Sequence, residues 1–212
     1  LTATTFMTNI AWMGGGAIVL GDVNAISSTI AYNMAYLAAG IFASDTTRID
    51  NSIFQANQAI LGGGLFVGGL WIDESESGKH LVSVISGTQF IANGGLIFGT
   101  ADALNNQGGG LVALRPVLVT NSAFLSNTAM IGAAGFAVNV FTMTGSLVAD
   151  NIAQVGAGFY LANASHVNAS RFVGNQAMSG GGLAIEYGTL RVVNSLFARN
   201  SAEIGSVMIV GV

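Results

Sequence analysis

The residues able to do acid–base chemistry are few. There are ten carboxylates: Asp22, Asp45, Asp50, Asp73, Glu74, Glu76, Asp102, Asp150, Glu186 and Glu203. One lysine, Lys79, and two histidines, His80 and His166, accompany five arginines. Clustered carboxylates beside a base would suit metal-assisted or general acid–base cleavage of a glycosidic bond. With no cysteine in the chain, Cys-ligated zinc, iron–sulfur clusters and disulfides are excluded. The histidines are far apart in sequence and have no partner at metal-ligand spacing. Glycine triplets such as Gly62-Gly63-Gly64 invite a phosphate-cradle reading, but no Lys-Ser/Thr follows any of them.

Which of these groups can meet depends on the elements that carry them, and those elements repeat. The motif is Phe-x-x-Asn-x-Ala-x-x-Gly-Gly-Gly followed by apolar residues. It reads FMTNIAWMGGGAI from Phe6, IAYNMAYLAAGIF from Ile30 and FQANQAILGGGLF from Phe54. FIAN at Phe90 has its glycines delayed to Gly108, and further copies begin at Phe124, Val148, Phe172 and Phe197. The basic step is 24 residues, and two steps are lengthened by insertions. A fixed period of this kind marks a solenoid.

Residue types choose the kind of solenoid. The segments are short, β-branched and alternating, bounded by Gly and Asn, with no sustained helical spacing. Each column holds one residue type. Thr4, Ser28, Ser52, Thr88, Ser122, Ser146, Ser170 and Ser195 stand two residues before the motif Phe, on the same strand face. An apolar column three residues earlier, from Leu1 and Ala25 to Val192, requires a bend just before the hydroxyl. Asn9, Asn33, Asn57, Asn93, Asn127, Asn151, Asn175 and Asn200 form an expected internal ladder, suited to αL backbone and to amide bonding between coils. The expected fold is all-β, a right-handed parallel β-helix of about eight coils, ~35–40 Å long. Residues 1–212 read as one domain, a segment of a longer chain, with insertions near 68–84 and 94–107.

The quoted repeats resemble those of the polymorphic outer membrane proteins, a family of autotransporter-type surface adhesins. The resemblance spans essentially the whole chain. More loosely, the chain is similar to pectate-lyase-type β-helix proteins. These resemblances imply the fold, and an extracellular or cell-surface setting. They say little about activity, because such folds host many functions.

Placed on the 24-residue grid, Asp22, Asp45 and Asp50 fall in different columns, and no two adjacent coils place carboxylates in one column together with a nearby base. The expected function is therefore a non-catalytic structural or adhesive segment, packing into a filament or larger assembly. A carbohydrate-binding or polysaccharide-cleaving β-helix is the alternative. No cofactor or metal is expected. The expected partners are other protein chains or flanking domains of the same protein, with glycans as a further class. Only 8% of residues are charged, against ~25% in an ordinary soluble domain, so the surface is short of charge. Nucleic acid is excluded by the sparse basic residues, and no apolar run reaches the ~18 residues of a spanning helix.

Three candidate interaction features remain. The first insertion holds Trp71, Asp73, Glu74, Glu76, Lys79 and His80, a candidate recognition loop. Asn163 and Asn168 each open an Asn-Ala-Ser glycosylation sequon. The middle apolar residue after each glycine triplet gives a stripe of Ile18, Phe42, Phe66, Val112, Phe136 and Tyr160. Strand alternation turns this stripe outward, where it is expected to pack against a partner.

Overall fold

The computed structural model describes residues 1–68, 82–94 and 106–210, with side chains to residue 208. Within these residues every paired strand is parallel, and each strand pairs with its equivalent one coil away. The chain is a parallel β-solenoid.

The first coil shows the plan. Strand β1 (Thr5–Met7) carries the motif Phe, and β2 (Ile10–Met13) follows the Asn. Strand β3 (Ala17–Val19) follows the glycines, and β4 (Val23–Ile26) leads to the next hydroxyl. Repetition turns these segments into four faces. Faces one and three, built on β1 and β3, are eight-stranded sheets; face four, built on β4, has seven strands. The eight motif copies therefore make about seven complete turns. Face two begins as the pair β2 with Met34–Leu37 and continues as single parallel bridges to Ser201 and Ile204.

Corners between the faces are columns of left-handed backbone. One lies just before the hydroxyl, where the sequence demanded a bend: Ser27, Asn51, Gly87, Asn121 and Gly145 all have φ near +50 to +63°. A second precedes the Asn ladder, at Thr8, Tyr32, Ala56 and their equivalents. The third takes the first glycine of each triplet, with Ala38 as the one non-glycine. The later glycines of the triplet serve a different need: a Cβ on Gly64 would sit 2.5 Å from the Gly110 carbonyl oxygen one coil on. The triplet is thus a corner followed by close backbone approach, with no cradle for phosphate.

The Asn column is the expected ladder of amide bonds between coils; αL tolerance plays no part in it, because the left-handed residue is the one before each Asn. Asn57 shows the bonding. Its Oδ1 accepts both the backbone N–H (3.1 Å) and the Nδ2 amide (2.9 Å) of Asn33. Its Nδ2 donates to the Ile30 carbonyl (2.8 Å) and to Asn93 Oδ1 (3.0 Å). The same set recurs at Asn93, Asn127, Asn151 and Asn175. Every amide group is satisfied in a buried column, which no other side chain of this size achieves. The hydroxyl column forms a second ladder. Ser52 Oγ accepts the N–H of Ser28 and donates to the carbonyl of Asp50.

Between the ladders lies one continuous apolar core. Ile49, Ile85, Val119, Met143 and Val167 fill it from face four, and Ile41, Leu65, Leu111 and Phe159 from face three. The motif Phe residues stack, with ring centroids 5.0 Å apart for Phe54–Phe90 and 4.7 Å for Phe90–Phe124. Most buried polar groups stand in the two ladder columns; Thr47, Ser83 and Ser165, at the start of face four, and Asn106 are buried outside them.

Candidate interaction surfaces

The stripe expected to meet a partner is where alternation put it, but it is not open. Residues on either side of it, such as Ile41 and Ala43, belong to the core, so Phe42, Phe66 and Val112 do face outward. They are nevertheless buried, Phe66 to 1% exposure and Phe42 to 3%. They form a second apolar cluster with Ala38, packed against by Met13, Leu61, Leu114 and Phe136. The cause is the glycine corner, which folds face two toward face three and closes the notch between them. Tyr160 is also buried, and Phe136 half-buried; of the stripe, Ile18 alone stays largely exposed. The expectation of an exposed stripe is corrected accordingly.

Exposed apolar residues occur on several parts of the solenoid, Leu20 and Tyr187 among them, and one group stands one face earlier than the stripe. Face two has two outward columns. One contains Ile10, Met34 and Ile152, interleaved with Gln58, Thr128 and Gln176; the other contains Trp12, Tyr36, Ile60, Met130 and Met178, with Gln154. Ile10 is 81% exposed, Trp12 72%, and Ile152 and Met178 just over half. Ile60, by contrast, is buried. The rings of Trp12 and Tyr36 stack with centroids 4.5 Å apart and planes 2° from parallel. No charged residue stands in either column before Glu203. The sequence signal was there, in IAWM and MAYL, but apolar residues on both sides of a strand read as core from periodicity alone.

The remaining candidates are dispersed. Trp71, Asp73, Glu74, Glu76, Lys79 and His80 lie outside the described residues, as does Asp102. Asn163 is exposed, with its Oδ1 accepting the Ala164 N–H at 2.7 Å. Asn168 ends the strand Ser165–Asn168 and is half-buried. The serine of each sequon is buried and donates to the carbonyl of the sequon Asn, at 2.9 Å for Ser165 and 2.8 Å for Ser170. The Asn168 sequon thus coincides with a rung of the hydroxyl ladder. Among the described residues, Arg48 Nε contacts Asp50 Oδ2 at 2.7 Å on one strand, and Arg115 lies 3.7 Å from Asp45 across coils. Asp22 accepts a hydrogen bond from Thr46. Among the described residues no three His, Asp or Glu side chains stand together. No described helix is long and apolar enough to cross a membrane.

Comparison with known proteins adds no relative: no family model, no curated protein and no solved structure matches the chain.

Proposed function

We propose that the chain is a non-catalytic structural or adhesive segment of a secreted or cell-surface protein, and that its rod packs into a larger assembly through face two. The observation that carries this reading is the uncharged outward surface of Ile10, Trp12, Met34 and Tyr36, with Ile152 and Met178 further along. Exposed apolar residues gathered on one face are the usual mark of an interaction surface. Trp12 and Tyr36 stack on each other across two coils, a rigid aromatic pair at the centre of that surface. The resemblance to polymorphic outer membrane protein repeats supports the surface setting.

The test is sedimentation of the purified chain beside a Trp12→Ser/Tyr36→Ser variant. The expected result is a concentration-dependent assembly for the first and a monomer for the second, with unchanged far-UV circular dichroism. A wild-type chain that stays monomeric at high concentration, and does not adhere to any cell-surface protein fraction, overturns the reading.

A further inference from the structure

The first two coils carry a patch that the rest of the rod does not repeat. On face two, Ile10 pairs in register with Met34, and the rings of Trp12 and Tyr36 stack beside them. Around the corner toward face one stand Tyr32, 51% exposed, and Met7, 46% exposed. The patch ends at the third coil, where Gln55 and Gln58 take the equivalent outward places.

Tyr32 is the least expected of these residues. It belongs to the corner column of left-handed backbone, with φ at 56°, and the next two coils fill that corner with Ala56 and Ala92. Bulky residues rarely hold positive φ. Here the chain keeps an aromatic ring in that conformation and leaves half of it in water. Packing within the solenoid does not call for the ring, since alanine serves the same corner one coil on.

The area bounds what can cover the patch. Taking ~150–250 Å² for a whole aromatic side chain, the exposed fractions of Trp12, Tyr32 and Tyr36, with Ile10 and Met7 added, come to roughly 600 Å² per copy. Two such patches face to face would cover about 1,200 Å² in total, the lower end of the ~1,200–2,000 Å² of specific stable interfaces. Charge narrows the partner. Among the described residues of faces one and two, no charged side chain precedes Asp150. The patch therefore selects by apolar shape, and its partner needs an uncharged area of similar size. At the other end of the rod the exposed Met178, Leu196 and Ile204 are interrupted by Arg199 and Glu203. The surface that matches the patch is the patch itself.

We infer that this patch joins two copies of the chain about a two-fold axis passing between Ile10 and Met34. The inference rests on the reading of face two as the assembly surface, and gives that surface its partner and symmetry. Both copies use the same residues, so the contact closes on itself and the pair does not grow further through it.

The chain has no cysteine, so an introduced thiol is the only one present. The experiment is sedimentation equilibrium of wild type and Tyr32→Ala, with oxidative cross-linking of Ile10→Cys, Met178→Cys and Leu20→Cys. Far-UV circular dichroism checks each fold; Tyr32→Ala should keep it, since Ala56 already holds this backbone conformation. The expected result is a monomer–dimer equilibrium with a Kd of ~1–100 μM, weakened about 10-fold or more by Tyr32→Ala. Ile10→Cys should form a disulfide-linked dimer, while Met178→Cys and Leu20→Cys stay monomeric. Growth beyond the dimer, unchanged association of Tyr32→Ala, or equal cross-linking of Met178→Cys overturns the two-fold pair and leaves assembly through face two standing. A wild-type chain that is monomeric at ~1 mM yet adheres to a cell-surface protein fraction also overturns the pair alone. A monomer that adheres to nothing overturns both.

Discussion

Asn121 and Gly145 show how single residues on adjacent coils constrain each other. Both occupy the left-handed corner column, and a Cβ on Gly145 would lie 2.7 Å from Asn121 Oδ1. The pairs Asn51–Gly87 and, in the second corner column, Asp150–Gly174 repeat the arrangement. Ala3 and Ala169 occupy the same column as Gly145 with positive φ, so alanine itself is tolerated there. Gly145→Ala should therefore cost ~2–3 kcal/mol, and about 1 kcal/mol of that should vanish in an Asn121→Ala background. A double-mutant cycle from urea denaturation measures the coupling, and an additive cycle refutes it. Tyr160 offers a pH-dependent case. Burial, and then the neighbouring Glu186 carboxylate, raise its pKa well above 10. In the unfolded chain the phenol ionises near pH ~10, so the unfolded state loses its proton first. The contribution is thus fully present below that pH and is lost as pH climbs toward the folded value. Tyr160→Phe should flatten the fall in thermal stability above pH ~10 relative to wild type.

At the scale of the element, the ladders make each coil depend on its two neighbours. Phe90 stacks on Phe54 and Phe124, and the amides of Asn57, Asn93 and Asn127 bond in sequence around it. Phe90→Ala should cost ~3–5 kcal/mol. The damage should also be local, because solenoid coils interact mainly with their nearest neighbours. Hydrogen exchange should show protection lost at Phe54, Phe90 and Phe124 and kept near Val167 and Phe172. Uniform loss along the rod would show that the coils unfold as one unit instead.

For the molecule as a whole, shortage of charge matters more than any one contact. The proposed association through face two would rest on burial of apolar surface rather than on ion pairs. Raising sodium chloride should leave the assembly unchanged, since charge screening has little to act on. Ammonium sulfate should strengthen it by favouring apolar burial. Sedimentation across a salt series reads both effects. Dissociation by ~0.5 M sodium chloride would mean that charged pairs, and not face two, hold the copies together.

The sequence alone determined the fold and its interior. A 24-residue period, one residue type per column and the bend before each hydroxyl left room for little but a parallel β-solenoid. They also placed the Asn, Ser and Phe columns inside. Local chemistry suffices for this, because each coil meets only copies of itself and like stacks on like. Two things needed the tertiary structure. The αL positions fell on the residue before each Asn, which removes αL tolerance as a reason for the column and leaves the expected amide bonding between coils. The exposure of Phe42 and Phe66 was also decided there. Alternation says which side of a strand a residue takes, but only the angle between two faces decides whether that side is open. The glycine corner closes the notch over Phe66, and that closure is a property of stacked coils that no single repeat contains.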